Sequence, residues 1–296
     1  VADLALLALT LCWGTTFLLV HDLLAHTPTG LFLFLRFGLA TLALGAAALL
    51  RRDRPTPGLL RHGLLLGLFL HAGFVLQTYG LRYTTPARSG FLTGLSVLAV
   101  PFLARFLLGR KVLLASWVGV AFAVAGLLLL TRPFGAAPGG DVQLGDALTA
   151  LCSVAFGLQI VYTGEWSRKH PLALLTLVQV AVAFLGSGLL ALLEPGPARV
   201  GPGGWPVIAF TGVAMTAGAF LVMNWAQRHT SAVRAALIYS LEPLAAALFS
   251  HFYGGEPLGP LDWAGGGLIV LGVVAGEVGG AIEAARQARA APLSAS

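Results

Sequence analysis

Apolar residues along this chain fall into runs of roughly twenty, separated by short polar stretches that carry glycine or proline. The runs cover 3–22, 29–50, 62–82, 87–108, 113–131, 146–165, 172–193, 205–227, 232–253 and 262–282. At a rise of about 1.5 Å per residue, a helix of about twenty residues crosses a hydrocarbon core of about 30 Å. The pattern predicts an all-α integral membrane protein with ten transmembrane helices. Its breaks are Arg51-Arg52-Asp53-Arg54-Pro55, Gly109-Arg110-Lys111, Arg132-Pro133 through Gly140, Arg168-Lys169-His170-Pro171, Pro195-Gly196-Pro197 and Gly254-Gly255-Glu256-Pro257. The first run lacks a basic leader and a small-residue cleavage site, so it is expected to be a true span and not a signal peptide. The Ala-rich stretch after Glu283, with Arg286 and Arg289, is expected to fray as a cytoplasmic tail over 285–296.

The ten runs divide into two similar sets of five. A shift of 143 residues aligns Asp3 with Asp146, Gly14 with Gly157 and Pro28 with Pro171. From the third run onward a shift of 146 aligns Thr84 with Thr230, Arg88 with Arg234, Gly109 with Gly255, Trp117 with Trp263, Gly119 with Gly265 and Gly126 with Gly272. Matches of Trp, Asp, Pro and Arg carry weight in a chain where Leu and Ala matches do not. The chain thus reads as a first repeat over 1–140 and a second over 141–284. Five crossings reverse the direction of the chain, so the second repeat is expected to enter the membrane upside down. Inverted repeats with a site at their interface are a recurring plan of secondary transporters.

Composition and charge sharpen this. Charged residues make up 10% of the chain and apolar ones 57%, against about 25% charged in soluble domains. Thirteen of the eighteen Lys and Arg fall in one set of loops, with four (Arg82, Arg88, Arg132 and Arg199) in the other and Arg36 inside a span. The richer side is expected to be cytoplasmic, which places both termini of a multi-pass protein there. The net charge of +6 is a topology signal more than a nucleic-acid footprint. Cys12 and Cys152 lie in separate spans and give neither a disulfide framework nor a metal-ligand spacing. No phosphate-cradling glycine loop with its lysine appears, and no paired acids or nucleophile with its base. Neither an enzyme nor a cofactor is expected.

Short pieces in order resemble the EamA-domain family of the drug/metabolite transporter superfamily. They are Trp13-Gly14-Thr15-Thr16-Phe17, Leu35-Arg36-Phe37, Gly80-Leu81-Arg82-Tyr83-Thr84, Ser240-Leu241-Glu242-Pro243 and Gly255-Glu256. The resemblance covers essentially the whole chain. Two departures stand out: Gly109-Arg110 replaces the family's Gly-Glu, and Val97 stands where the second copy has Pro243. A proline-based hinge would then be asymmetric, or shift to Pro101. The resemblance implies transport of small organic solutes, often amino acids or other metabolites and sometimes drugs, commonly outward across the inner membrane.

Polar groups at membrane depth are costly and call for a reason. Glu242 lies about ten residues into its span, roughly 15 Å deep. It is either a proton-titrating or amine-binding carboxylate, or a structural partner for Arg36. Arg36 either binds a solute carboxylate or pairs within the bundle; its repeat equivalent, Gln179, is uncharged. Candidate cavity residues are Trp13, Thr16 and Phe17; His71, Phe74, Gln77 and Thr78; Phe156 and Gln159; Phe220 and Asn224; and Tyr239 beside Glu242. An aromatic cavity with a few polar groups suits an amphipathic solute. For His71 the alternatives are a packing residue or a proton relay. Arg88 and Arg234, at helix N-termini, are either anion-attracting gates or snorkelling interfacial side chains. The four-residue spacing of Gly272, Gly276 and Gly280 marks close helix packing within a monomer or between two copies. A channel or lipid scramblase would look similar in sequence, and so remains the competing reading.

Overall fold

The computed structural model describes residues 1–131, 142–195, 199–254 and 257–290. All regular structure among them is helical. The helices are α1 (Ala2–Leu24), α2 (Thr29–Arg51), α3 (Leu59–Tyr83), α4 (Pro86–Gly94), α5 (Ser96–Leu108), α6 (Leu114–Thr131), α7 (Val142–Trp166), α8 (Leu172–Leu193), α9 (Gly204–Ala209), α10 (Ala219–Ala226), α11 (Ala232–Tyr239), α12 (Glu242–Gly254) and α13 (Pro260–Ala290). A π-helical segment, Phe210–Gly218, joins α9 to α10. Among the described residues, nine stretches are long and apolar enough to cross a membrane, and a shorter apolar helix covers 114–130. The breaks expected at 132–140, at Gly196-Pro197 and at Gly255-Glu256 lie outside the described residues.

The tail expected to fray over 285–296 is helical as far as Ala290, where α13 ends; residues 291–296 lie outside the described residues. Alanine, arginine and glutamine are strong helix formers, and they extend a helix already nucleated in the span.

Local chemistry sets the helix starts. Pro28 and Pro171 precede α2 and α8, where a fixed φ and a missing N–H do no harm. The Thr85 hydroxyl accepts the Arg88 N–H at 3.3 Å, and the Ser231 hydroxyl accepts the Arg234 N–H at 3.2 Å. These are N-caps at repeat-equivalent positions.

The helices pack as a bundle in which α6 meets α13, α2 meets α8, α3 meets both α7 and α8, and α1 meets α12. Glycine allows the closest of these approaches. A Cβ at Gly119 would lie 2.6 Å from the Gly272 carbonyl oxygen, and one at Gly126 would lie 2.7 Å from the Ile269 nitrogen. Gly119 faces Gly272 while Gly126 faces Gly265, so α6 and α13 run antiparallel. The interior between α1, α2, α3, α8 and α10 is filled by Phe32, Phe37, Leu44, Leu70 and Met223. Leu42, Phe106, Leu185 and Phe252 are exposed on the outside, where lipid and not water is the matching solvent.

Both broken spans break at matching places. The α4–α5 break falls at Leu95 and the α11–α12 break at Ser240-Leu241, within one residue of each other under the 146 shift. Leu95 and Ser240 share nearly one conformation, φ −61° ψ −10° and φ −63° ψ −11°. Pro243 follows only the second, and Pro101 sits inside α5 without ending it. The break therefore does not depend on proline, contrary to the asymmetric or displaced hinge expected from Val97.

Candidate functional site

A cavity of about 90 Å³ lies where the two halves of the chain meet. Six rings line it: Trp13 and Phe17 from α1, Phe74 from α3, Phe156 from α7, Phe220 from α10 and Tyr239 from α11. Polar atoms come from Thr16, Gln77, Thr78, Thr93, Ser96 and Gln159, and charge from Arg36 and Glu242.

Packing fixes the rings. Trp13 lies 5.8 Å from both the Phe220 and Tyr239 rings, between centroids. Phe74 meets Phe156 edge-on at 5.4 Å and Phe37 edge-on at 5.2 Å. Such tilted and edge contacts suit the ring quadrupole. Gly14, next to Trp13, lets α12 approach: a Cβ there would lie 2.6 Å from the Ala245 Cβ and 2.8 Å from the Glu242 carbonyl oxygen. Its repeat equivalent Gly157 makes the matching approach to Ala99, at 3.4 Å. The small residue in the first span thus brings Glu242, at the first position of α12, to the cavity.

Arg36 is buried, with 5% of its surface exposed. Its Nε donates to the Thr216 hydroxyl at 2.9 Å, and its guanidinium lies 4.5 Å from the Phe74 ring centroid. Thr216 belongs to the π-helical segment, and its hydroxyl donates to the Thr211 carbonyl at 2.8 Å. The same segment offers the Met215 carbonyl to the Trp13 indole N–H at 3.0 Å. π-helical turns recur at functional sites because they free backbone acceptors. Here the segment anchors the arginine and the tryptophan of the cavity.

Other polar side chains are already committed. Gln77 donates to Thr93 at 3.0 Å. Gln159 donates to Thr163 at 3.1 Å and to Gln179 at 3.4 Å. The Tyr239 hydroxyl accepts from Gln227 at 3.2 Å.

Most candidates from the sequence meet at this cavity, but two do not. His71 turns toward α8, with Nδ1 3.5 Å from the Ser187 hydroxyl and its ring over Gly186. Asn224 is buried against α8, donating to Thr176 at 2.7 Å. Ser96, which the 146 shift sets against Glu242, lines the cavity as well. Thr93 lines it without having been singled out; it is the repeat equivalent of Tyr239, so the same shift could have found it.

Arg88 and Arg234 sit at opposite ends of the bundle and outside the cavity lining. Each is held by carboxylates: Arg88 by Asp146, and Arg234 by Asp3 at 2.8 Å and by Glu277. At the end that carries Arg234, a second cavity of about 440 Å³ opens between the ends of α5 and α7 and the start of α11. Arg110, Lys111, Glu165 and Arg168 line it, with Thr230 and Ser231. Outside the spans, burial holds the Arg228 guanidinium below the ordinary arginine range, and Arg51 adds to the effect. Arg228 nevertheless donates to the Ser167 carbonyl at 2.6 Å and to the His170 carbonyl.

Comparison with known proteins places this geometry among transporters. The EamA-like transporter family matches the chain twice, over residues 1–132 and 143–275. An uncharacterized transporter of Archaeoglobus fulgidus is 30% identical over 274 residues, covering 92% of this chain and 84% of that protein. The uncharacterized inner membrane transporter YedA of Escherichia coli is 25% identical over 283 residues, covering 91% and 88%. One crystal structure superposes with a TM-score of 0.76 at 22% identity, over 93% of this chain and 94% of its own, and so shares the fold.

Proposed function

Because the chain belongs to the EamA-like transporter family, we propose that it is a secondary transporter that carries a small zwitterionic solute, an amino acid or related metabolite, outward across the inner membrane by alternating access. The observation behind this reading is that one aromatic cavity is lined by one cation and one carboxylate, Arg36 and Glu242. Arg36 is oriented by Thr216 and Phe74 and takes the solute carboxylate. Glu242 takes the ammonium. A proton on Glu242 competes with that ammonium, so proton binding and solute release exchange at a single group, which is antiport.

The architecture under this proposal is ten spans in two inverted repeats, 1–140 and 141–284, with both termini cytoplasmic. The glycine contacts support it. Gly119 and Gly126 are equivalent to Gly265 and Gly272, yet each meets the other's counterpart across an antiparallel pair. That crossing is what a two-fold axis perpendicular to the helices produces. Gly272 is used inside the chain at this contact, which favours the monomer as the transport unit.

Saturable counterflow of labelled amino acids and aromatic metabolites in proteoliposomes is the expected result. A channel or scramblase shows no counterflow, and that outcome would reject the proposal.

A further inference from the structure

One group of three side chains occurs twice in the fold, in two different states. At the end of α3, the Thr84 hydroxyl donates to Asp146 Oδ1 at 2.7 Å. Arg88 Nε donates to the same oxygen at 3.2 Å, and Arg88 Nη2 meets Oδ2. The α3–α4 turn is thereby clamped to the start of α7. The repeat shifts carry Thr84, Arg88 and Asp146 onto Thr230, Arg234 and Asp3. At this second position the clamp is incomplete. Arg234 Nη2 reaches Asp3 Oδ2 at 2.8 Å, but the Thr230 hydroxyl and Asp3 Oδ1 are both buried without a hydrogen-bond partner.

Such buried orphans are costly and need an explanation. Each is the group the other lacks, since the equivalent pair in the first copy is joined. Arg234 is also diverted, with Nε and Nη2 both turned to Glu277 of α13. The position equivalent to Glu277 in the first copy is Thr131, which is no carboxylate. The cavity of about 440 Å³ opens at the incomplete clamp, lined by Thr230 itself.

We propose that the two Thr–Asp–Arg groups are the locks of the transport cycle, and that Glu277 is the alternative partner that holds the second lock open. This rests on the transporter reading above. In the present state the Asp146 lock is shut and the Asp3 lock is released. To shut the second lock, Thr230 reaches Asp3 Oδ1 and Arg234 Nε turns from Glu277 to Asp3, which reproduces the Arg88–Asp146 geometry. The first lock opens as this happens. The locks carry no solute. They set which end of the cavity is accessible, and the extra carboxylate on one side only biases the resting state toward opening at that end.

The test uses the full chain in membrane vesicles, with Cys12→Ser and a reporter, Ser116→Cys, in the wall of the larger cavity. Its labelling by a membrane-impermeant maleimide reads how often that end is open. Glu277→Gln removes the holding carboxylate and is expected to slow labelling about fivefold or more, as a population shift toward the closed end. Adding Thr230→Val removes the hydroxyl that closes the lock and is expected to restore fast labelling. A misfolded protein labels faster, so the slowing is not a folding artefact, and solute counterflow retained by the double variant shows that its fast labelling is not one either. Unchanged or faster labelling in Glu277→Gln overturns the proposal, as does slowing that Thr230→Val fails to reverse. Solute counterflow measured alongside separates the two readings. If counterflow persists while labelling is indifferent, the locks fail and the transporter reading stands. If the unmodified chain shows no counterflow, the transporter reading fails whatever the labelling rates.

Discussion

Arg36 and Thr216 are joined by a 2.9 Å hydrogen bond that ties α2 to the π-helical segment, 180 residues further along the chain. The Thr216 hydroxyl spends its own proton on the Thr211 carbonyl, so its lone pairs face the guanidinium. The bond orients the flat guanidinium face over Phe74; under the proposed function its terminal nitrogens take the solute carboxylate. Thr216→Val keeps the shape and removes the acceptor. A hydrogen bond to a charged group contributes about 1.5–3 kcal/mol, so the half-saturation concentration for counterflow should rise about tenfold or more. Arg36→Lys should not substitute, because an ammonium lacks the planar fork and its stacking. A normal half-saturation in Thr216→Val would show that the bond does not prepare the site.

The α6–α13 contact should be intolerant of a single methyl group. At Gly119 a Cβ meets backbone atoms of α13 at 2.6 Å, and backbone cannot move aside as a side chain does. Gly119→Ala should destabilise the detergent-solubilised protein by about 1–3 kcal/mol, the usual cost of overpacking. Gly45 is the control, since nothing lies within 4 Å of a Cβ there. Gly45→Ala should be neutral, or stabilising by up to about 1 kcal/mol from helix propensity. Thermal unfolding of the two variants decides the matter; equal melting temperatures would contradict it.

Stability should also depend on pH through His170. Its Nδ1 lies 2.6 Å from the Thr56 hydroxyl and its Nε2 lies 2.7 Å from His62 Nδ1. Of the two facing imidazole nitrogens, one must accept, so the pair cannot carry a proton on both. Burial, with the neighbouring His62 and the Lys169 charge, pushes His170 below the ordinary histidine range. The unfolded chain then binds the proton at higher pH than the native one. Stability is fully present above about pH 6.5, the unperturbed histidine value, and falls as pH drops from there toward the lowered native value. His170→Asn should flatten this dependence, measured as melting temperature between pH 5 and 8. An unchanged slope would assign the dependence to other groups.

Much of this architecture was legible in the sequence because lipid demands long apolar helices, and the duplication gave a second reading of each span. What stayed hidden has physical causes. In a bilayer the lipid-facing side of a helix is as apolar as its packed side, so hydrophobic periodicity does not say which way His71 or Asn224 turns. Both went to α8. The break at Leu95 has no proline close behind it and so leaves no mark in the sequence, whereas Pro243 follows the matching break at Ser240-Leu241. The π-helical segment over Phe210–Gly218 has no marker in its residues. Its role appears only when Thr216 and Met215 are seen to receive Arg36 and Trp13. Asp3 and Asp146 were aligned at the start as repeat markers. Their meaning depended on which arginine each one meets.

The sharpest prediction concerns Glu242. Among the described residues lining the central cavity it is the one carboxylate, and Arg36 the one cation. If a proton and a solute ammonium compete for it, a pH gradient drives accumulation by emptying the site on the acidic side. Glu242→Gln keeps the size and the hydrogen-bonding reach but cannot take up or release a proton. Accumulation driven by a pH gradient should be lost, while solute-for-solute exchange persists, weakened for amine-bearing solutes and little changed for carboxylates without an amine. Ser96 stands at the equivalent place in the first repeat and lines the same cavity, so Ser96→Ala should retain both gradient-driven uptake and exchange. That contrast separates a coupling role from mere presence in the wall. Gradient-driven uptake that survives Glu242→Gln would remove Glu242 from the coupling mechanism and leave it as a counter-charge to Arg36.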